Sequence, residues 1–291
     1  MRPSPVLLNK LNRAKLLTRW SVASVGVGER RSRRKGAGME FADHREYQIG
    51  DDLRHLDPHL YARFGENYIR QYEVYQQLPI TILVDSSKSM DFGEPNKFRH
   101  AMTIASLLGF VGLAGGDQVQ FIVGSGGKVH RSPRYHGIMR AEPMFAWLEQ
   151  QSVSDGGGFG ATVRNATREL TGKGLLIIVS DWWEEDLEAE LGILVATGQE
   201  VWGLQVLSPE EIEPGLMGEG EVRFVDIESG HEVELAVDRG TLERYQRSFE
   251  AWREVIQRVL TRSHGRYLLL PTNRDPERLF QEEWRKIGMI G

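Results

Sequence analysis

The chain reads as an α/β protein with a doubly wound, mostly parallel sheet, and three observations carry that reading. Ile80–Val84, Val119–Val123, Leu175–Val179 and Val201–Leu207 are short apolar runs with little alternation of polar side chains, the pattern of strands buried on both faces. Between the first two lies Lys97–Ala114, with Phe98, Met102, Ala105, Leu108 and Val111 at helical spacing; strand, helix and strand joined by short glycine turns are the grammar of a parallel sheet. Two of the runs stop at acids, Asp85 and Asp181, at the end of the strand where α/β sheets bind ligands.

At 291 residues, 40% hydrophobic and 26% charged, the chain has room for two domain-sized units or one α/β domain with additions. It has no cysteine, which excludes disulfides, thiolate zinc sites and cysteine nucleophiles. No apolar run approaches the roughly 18 residues of a membrane span. The start, Met1-Arg-Pro-Ser-Pro-Val-Leu-Leu, lacks the apolar core of a secretion signal, so the expected compartment is the cytoplasm. The net charge of −5 is uneven: residues 1–76 hold 14 Lys+Arg against 9 Asp+Glu, the remainder 22 against 32. A basic N-terminal segment therefore faces an acidic partner or the chain's own acidic body.

Residues 1–28 contain no acid, and Leu7, Leu8, Leu11, Leu16, Leu17 and Trp20 recur roughly at helical spacing among Lys10, Arg13, Lys15 and Arg19. Such a helix is expected to dock on its own protein, with peripheral membrane contact through residues 1–20 as the alternative. The basic run Arg30-Arg-Ser-Arg-Arg-Lys35 has no recognition helix or stacking platform beside it, so a solvated or ion-paired loop is favoured over nucleic-acid binding. Next come Gly36-Ala-Gly38-Met-Glu40-Phe41 and Arg45-Glu-Tyr47-Gln-Ile-Gly50-Asp51-Asp52-Leu-Arg54-His-Leu-Asp57, then Ala62-Arg63. Their charge density suggests an ion-paired network holding a loop-rich subdomain. His55 and His59 flank Asp57 and Pro58 without a third ligand nearby, and are not read as a metal site. Ile69–Tyr75 is expected to be a strand leading into the central one.

Asp85, Ser87 and Ser89 place one carboxylate and two alternate hydroxyls just past a buried strand. Hard cations such as Mg²⁺ take oxygen ligands and keep several waters. One carboxylate with two neutral hydroxyls leaves such an ion most of its charge and an open position, suited to gripping another molecule's carboxylate. Asn96 is a candidate cap for the helix at Lys97. Gly124-Ser-Gly-Gly127-Lys128 lacks the outer glycine and final hydroxyl of a phosphate loop. Gly137–Gln151 reads as a helix that Pro143 breaks or restarts. Ser152–Gly160 reads as a flexible loop that brings up Thr162, ahead of a helical stretch Val163–Leu170. A helix is expected from Trp182 to about Thr197, with Glu184, Glu185 and Asp186 favoured in its first turn by the helix dipole. Trp182 and Trp183 are candidate partner contacts at the rim of the site, with packing of Trp182 onto the neighbouring helix as an equal alternative. Glu221–Val237 alternates on both sides of Ser229-Gly230, a hairpin pattern. A long amphipathic helix Thr241–Arg262, a strand Arg266–Leu270 and a helix Pro276–Ile287 close the chain.

Asp85-x-Ser87-x-Ser89 after such a strand resembles the metal-ion-dependent adhesion site of von Willebrand factor A domains. The resemblance implies that Thr162 and Asp181 complete the ligand set, and that the fold is von Willebrand factor A-like. The Arg45–Asp57 block, with the preceding glycines and the Ala62-Arg63 pair, resembles the domain of unknown function 58 family, as does Asp226-x-Glu228-Ser229-Gly230. That family's tryptophan after the last Asp of the block is Pro58 here, which leaves any contact it makes to His59, Leu60 or Tyr61. The resemblance implies a companion MoxR-type AAA ATPase and a part in assembling or activating protein complexes.

The expected organisation is an N-terminal irregular and β subdomain over residues 1–76. An α/β domain over 77–291 follows, with a hairpin insertion near 214–238. The expected function is non-enzymatic: a protein-binding module dependent on Mg²⁺ or Mn²⁺, whose partner offers an acidic side chain to the ion. The rival is a Mg²⁺-dependent hydrolase using the same strand-end carboxylates, which would require a general base near Asp85; no histidine lies in the three loops concerned.

Overall fold

The computed structural model describes residues 2–19, 39–74, 77–156, 158–168, 170, 172–183, 187–217, 220–225, 232–262 and 264–291. They divide into two compact units, one of residues 1–19 with 78–291 and one of residues 20–77.

In the larger unit α1 (Pro5–Leu11) opens the chain, with Ser4 as N-cap and Pro5 at the first position, where a missing N–H costs nothing. Leu7 and Leu11 are buried in the core. The helix is shorter than the leucine spacing suggests because the chain then turns extended: Leu16 bridges Ile290 and Leu17 N donates to Met289 O at 2.8 Å. The first nineteen residues thus belong with the large unit, whereas the sequence grouped them with the basic segment up to residue 76.

The smaller unit pairs β1 (Met39–Glu46) with β2 (Tyr68–Val74) in antiparallel register. Between them lies α2 (Pro58–Phe64), with Asp57 as N-cap and Pro58 at the first position. Where the family resemblance expects tryptophan, this proline starts a helix. The charges of the block form local pairs: Arg45 grips both oxygens of Asp51 at 2.8 and 2.6 Å, Arg54 holds Asp52 at 2.6 Å, and His44 lies 3.0 Å from Asp57. Arg63 lies over the Phe64 ring. The Arg30–Lys35 run, Trp20 and the Ser229-Gly230 turn fall outside the described residues.

The central sheet is built from β3 (Pro79–Asp85), β4 (Gln118–Ser125), β5 (Lys128–Arg131), β6 (Tyr135–His136), β7 (Leu175–Ser180), β8 (Glu200–Leu207) and β11 (Arg266–Pro271). Its order is β11-β8-β7-β3-β4-β5, with β6 also on β4. The first five of that order are mutually parallel, and β5 and β6 run antiparallel to β4. Side chains alternate between two cores, as the period of a strand requires. Ile80, Ile82 and Val84 of β3 and Leu175, Ile177 and Val179 of β7 face one core, with α3 (Lys97–Ala114) and α4 (Ala141–Glu149). Leu83, Leu176 and Ile178 face the other, with α5 (Gly160–Thr167) and α6 (Leu187–Ala196). A sheet covered on both faces is why these strands carry no polar alternation.

Past β8 lie α7 (Pro209–Ile212), the antiparallel pair β9 (Gly220–Val225) and β10 (Glu232–Val237), and α8 (Arg239–Arg262), whose Ile256 and Leu260 join the second core. After β11, the turns Pro276–Arg278, Leu279–Glu283 and Trp284–Lys286 run on, the middle one with π geometry.

The stretch from Gly137 is not one helix: a 3-10 turn Ile138–Arg140 comes first and α4 starts anew at Ala141, with Pro143 in its first turn, where the N–H groups have no intrahelical acceptor to lose. One expectation needs correction: a helix does not follow Asp181 directly. Trp182 takes a positive φ of 63°, and the helix is described from Leu187 on, residues 184–186 lying outside the described set.

Candidate metal centre

The site lies at the carboxyl ends of β3 and β7, which are hydrogen-bonded neighbours. Asp85 is the last residue of β3 and is 1% exposed. Its Oδ1 accepts from Ser87 N at 2.8 Å and its Oδ2 from the Ser180 hydroxyl at 2.7 Å. The first bond is the short-range turn an aspartate makes with the backbone two residues on, and it starts the single 3-10 turn Lys88–Met90. That turn brings the Ser87 and Ser89 hydroxyls within 2.9 Å of each other. Asp85, Ser87 and Ser89 therefore share one corner, as their alternate spacing implies.

Asp181 follows Ser180 and is 2% exposed. Its Oδ2 accepts from Lys97 Nζ at 2.9 Å, its Oδ1 from Trp183 N at 3.3 Å, and its backbone oxygen from Gln205 Nε2 at 2.8 Å. Asp181 lies near enough for its charge to act on Asp85. Burial first, then the Asp181 charge, pushes the Asp85 carboxyl up to about 8, against the lowering effect of its hydrogen bonds.

Lys97, the first residue of α3, went unnoticed in the sequence. Its side chain is 1% exposed and its ammonium reaches both Asp181 and Glu211, the latter at 2.7 Å. Burial opposes its charge, yet Asp181 and Glu211 together raise its pKa above the usual lysine value. Glu211 is held in turn by a capping box with Ser208 at the start of α7. One signal was present: a cation in the first turn of a helix opposes the macrodipole, so a lysine there ahead of an apolar helix calls for an acidic partner.

Thr162 is fully buried on α5, and among the described residues its hydroxyl accepts from Gly127 N at 3.1 Å. It is thus tied to the β4–β5 turn rather than hydrogen-bonded to the two acids. That turn is itself locked to the loop preceding α5. Ser154 Oγ lies 2.7 Å from Ser125 Oγ and 3.3 Å from Ser86 Oγ, and Ser154 N donates to Ser86 O at 2.8 Å. Gly126, with φ +52°, passes so close to Gly156 that a Cβ on it would lie 1.2 Å from the Gly156 oxygen. The segment read as a flexible loop is pinned at Ser154 and Gly156.

Trp182 does not face a partner. It is 3% exposed, lies in the second core and donates through Nε1 to Leu204 O at 3.3 Å. Its ring fills space left by Gly203, where a Cβ would come within 3.1 Å of it. Trp183 is 39% exposed, with its ring 5.6 Å from Trp252 and 6.3 Å from Phe249 on α8.

The donors at this corner are two carboxylates and hydroxyls, all oxygen. Oxygen donors of this kind suit a hard cation that completes its shell with water, although among the described residues no cluster of three or more His, Cys, Asp or Glu could hold a metal ion. The fit has electrostatic support: burial, and after it the Asp181 charge, raise the pKa of Asp85, a cost that a cation beside the ionised carboxylate would relieve. Asp85 and Asp181 would bind such an ion directly or through water, with Ser87, Ser89 and Thr162 supplying neutral oxygens.

Residues 43–255 match the family described as protein of unknown function DUF58. Uncharacterized proteins of Mycobacterium tuberculosis (strain H37Rv) and Mycobacterium bovis are each 27% identical over 281 residues, covering 93% of this chain and 86% of the relative. Among solved structures, the conserved hypothetical protein BatB from Bacteroides thetaiotaomicron aligns with a TM-score of 0.45 at 18% identity, over 72% of this chain and 98% of that one. An aerotolerance-related membrane protein from Bacteroides fragilis aligns with the same score and identity, over 72% and 99%.

Proposed function

The chain belongs to the DUF58 family, and from that premise we propose that it is a protein-binding module dependent on a divalent metal, not an enzyme. In this reading the larger unit is von Willebrand factor A-like. Asp85, Ser87, Ser89, Thr162 and Asp181 hold Mg²⁺ or Mn²⁺ directly or through water, and an acidic side chain of a partner protein fills the open position. The bound ion supplies a Lewis-acidic point for that carboxylate; the chain's own residues fix the ion and exclude water from its inner side. A MoxR-type AAA ATPase in the cytoplasm is the companion that the family resemblance implies.

The observation that carries the proposal is the pair of buried carboxylates, Asp85 and Asp181, at the ends of adjacent parallel strands, with the Ser87 and Ser89 hydroxyls in the turn that follows Asp85. The hydrolase reading requires a base on the acids, whereas the groups hydrogen-bonded to Asp85 among the described residues are Ser87 and Ser180. Titrating the protein with Mn²⁺ and following free ion by electron paramagnetic resonance tests the proposal. One ion per chain, lost in Asp85→Ala and displaced by Mg²⁺, is expected. Absence of saturable binding at millimolar Mn²⁺ overturns it.

A further inference from the structure

We propose that Lys97 sets the charge of this centre, so that its carboxylates do not outweigh a bound divalent ion and a visiting carboxylate can be held. The inference rests on the ion-binding reading above and assigns a specificity-determining role to a residue outside the ligand set. Lys97 Nζ lies 2.9 Å from Asp181 Oδ2 and 2.7 Å from Glu211 Oε1, in a side chain 1% exposed. Among the described residues, the groups hydrogen-bonded to Asp85 are the Ser87 N–H and the Ser180 hydroxyl, and neither is a cation.

The charges of the centre are therefore the three negative carboxylates of Asp85, Asp181 and Glu211, with one ammonium shared by Asp181 and Glu211. Their sum is two negative charges, which a divalent ion balances. Without Lys97 the sum would be three, and the ion would bind more tightly while the centre as a whole would attract an acid less. Lys97 also occupies Asp181 Oδ2, so the ion or its water would share Oδ1 with the Trp183 N–H, a longer contact at 3.3 Å. Glu211 modulates the same balance from the other side: its carboxylate shares the Lys97 ammonium, is less buried at 18% and is held by the Ser208 N–H. Removing its charge leaves the whole ammonium to Asp181.

Two variants separate this role from mere support of the fold, because they should move the same two affinities in opposite directions. Mn²⁺ affinity is read by electron paramagnetic resonance, and acetate affinity of the Mn²⁺-loaded protein by the loss of water-proton relaxation enhancement. Lys97→Met should tighten Mn²⁺ at least about tenfold, and weaken acetate by a comparable factor, as removal of a unit charge a few ångströms away implies. Glu211→Gln should do the reverse, with smaller shifts. Lys97→Met that is folded by circular dichroism and binds both Mn²⁺ and acetate more weakly overturns the role. Should Lys97→Met fail to fold, Glu211→Gln decides: weaker Mn²⁺ with tighter acetate supports the role, and any other result overturns it. Wild-type protein that binds no Mn²⁺ removes the ion-binding reading itself, a result distinct from either.

Discussion

The Ser180 hydroxyl donates to Asp85 Oδ2 at 2.7 Å across the β3–β7 ladder, and Ser180 Oγ in turn accepts from Trp182 N at 3.0 Å. One hydroxyl thus ties the first acid of the centre to the backbone that leads away from the second. Ser180→Ala leaves Asp85 Oδ2 without this donor and the Trp182 N–H without its acceptor. A loss of about 1–3 kcal/mol is expected, the cost of leaving a buried group unpaired, measured by urea denaturation in chelator. Mn²⁺ binding should weaken too, since the carboxylate loses its fixed orientation. A variant as stable as the wild type removes the argument.

The pH dependence follows from Asp85. Its folded pKa, about 8, lies above the ordinary 3.8, so folding favours the protonated carboxyl. That stabilisation is complete below about pH 4 and is lost as pH rises through about 8. Metal-free protein should therefore melt lower near pH 9 than near pH 6. Asp85→Asn, which keeps the shape and removes the charge, should flatten that slope. Saturating Mg²⁺ should restore the high-pH melting temperature, because the ion binds the ionised form. Equal melting temperatures at both pH values in metal-free wild type contradict this.

Gly126→Ala tests the interlocked loops. The added Cβ would overlap the Gly156 carbonyl oxygen at a backbone of φ +52°, and both the clash and the strain act against it. We expect more than about 2 kcal/mol of destabilisation and faster amide exchange at Gly127, whose N–H is held by Thr162. Gly116→Ala, in a turn with φ +83° but open space around it, should cost less. Equal costs at the two glycines would mean that the loop crossing contributes nothing.

The tandem tryptophans should part company. Trp182→Ala empties a core position and should cost about 3–5 kcal/mol. Trp183→Ala, on a ring 39% exposed, should cost under about 2 kcal/mol. Thermal melts of the two variants give the comparison; similar losses would mean that both rings are structural.

How much of this could be read from residues alone depended on how local each cause is. The strands were legible because burial on two faces leaves an apolar run such as Leu175–Val179, and α3 because Asn96 caps it and glycines stop it. The corner of Asp85, Ser87 and Ser89 is legible for the same reason: one turn of three residues makes it. Lys97 was not, since its partners Asp181 and Glu211 lie 84 and 114 residues away. The burial of Trp182 was not legible either, since the space its ring fills is left by Gly203 on another strand. The serine bonds joining residues 86, 125 and 154 leave no pattern in a single sequence.

The bond from Ser180 to Asp85 spans 95 residues. A chain released only as far as α5 holds the Asp85 corner but nothing to set against it, and contacts of such long span form late. Ion uptake by the growing or refolding chain would therefore report that β7 has inserted beside β3. It is a signal for completed tertiary structure that secondary-structure probes cannot give.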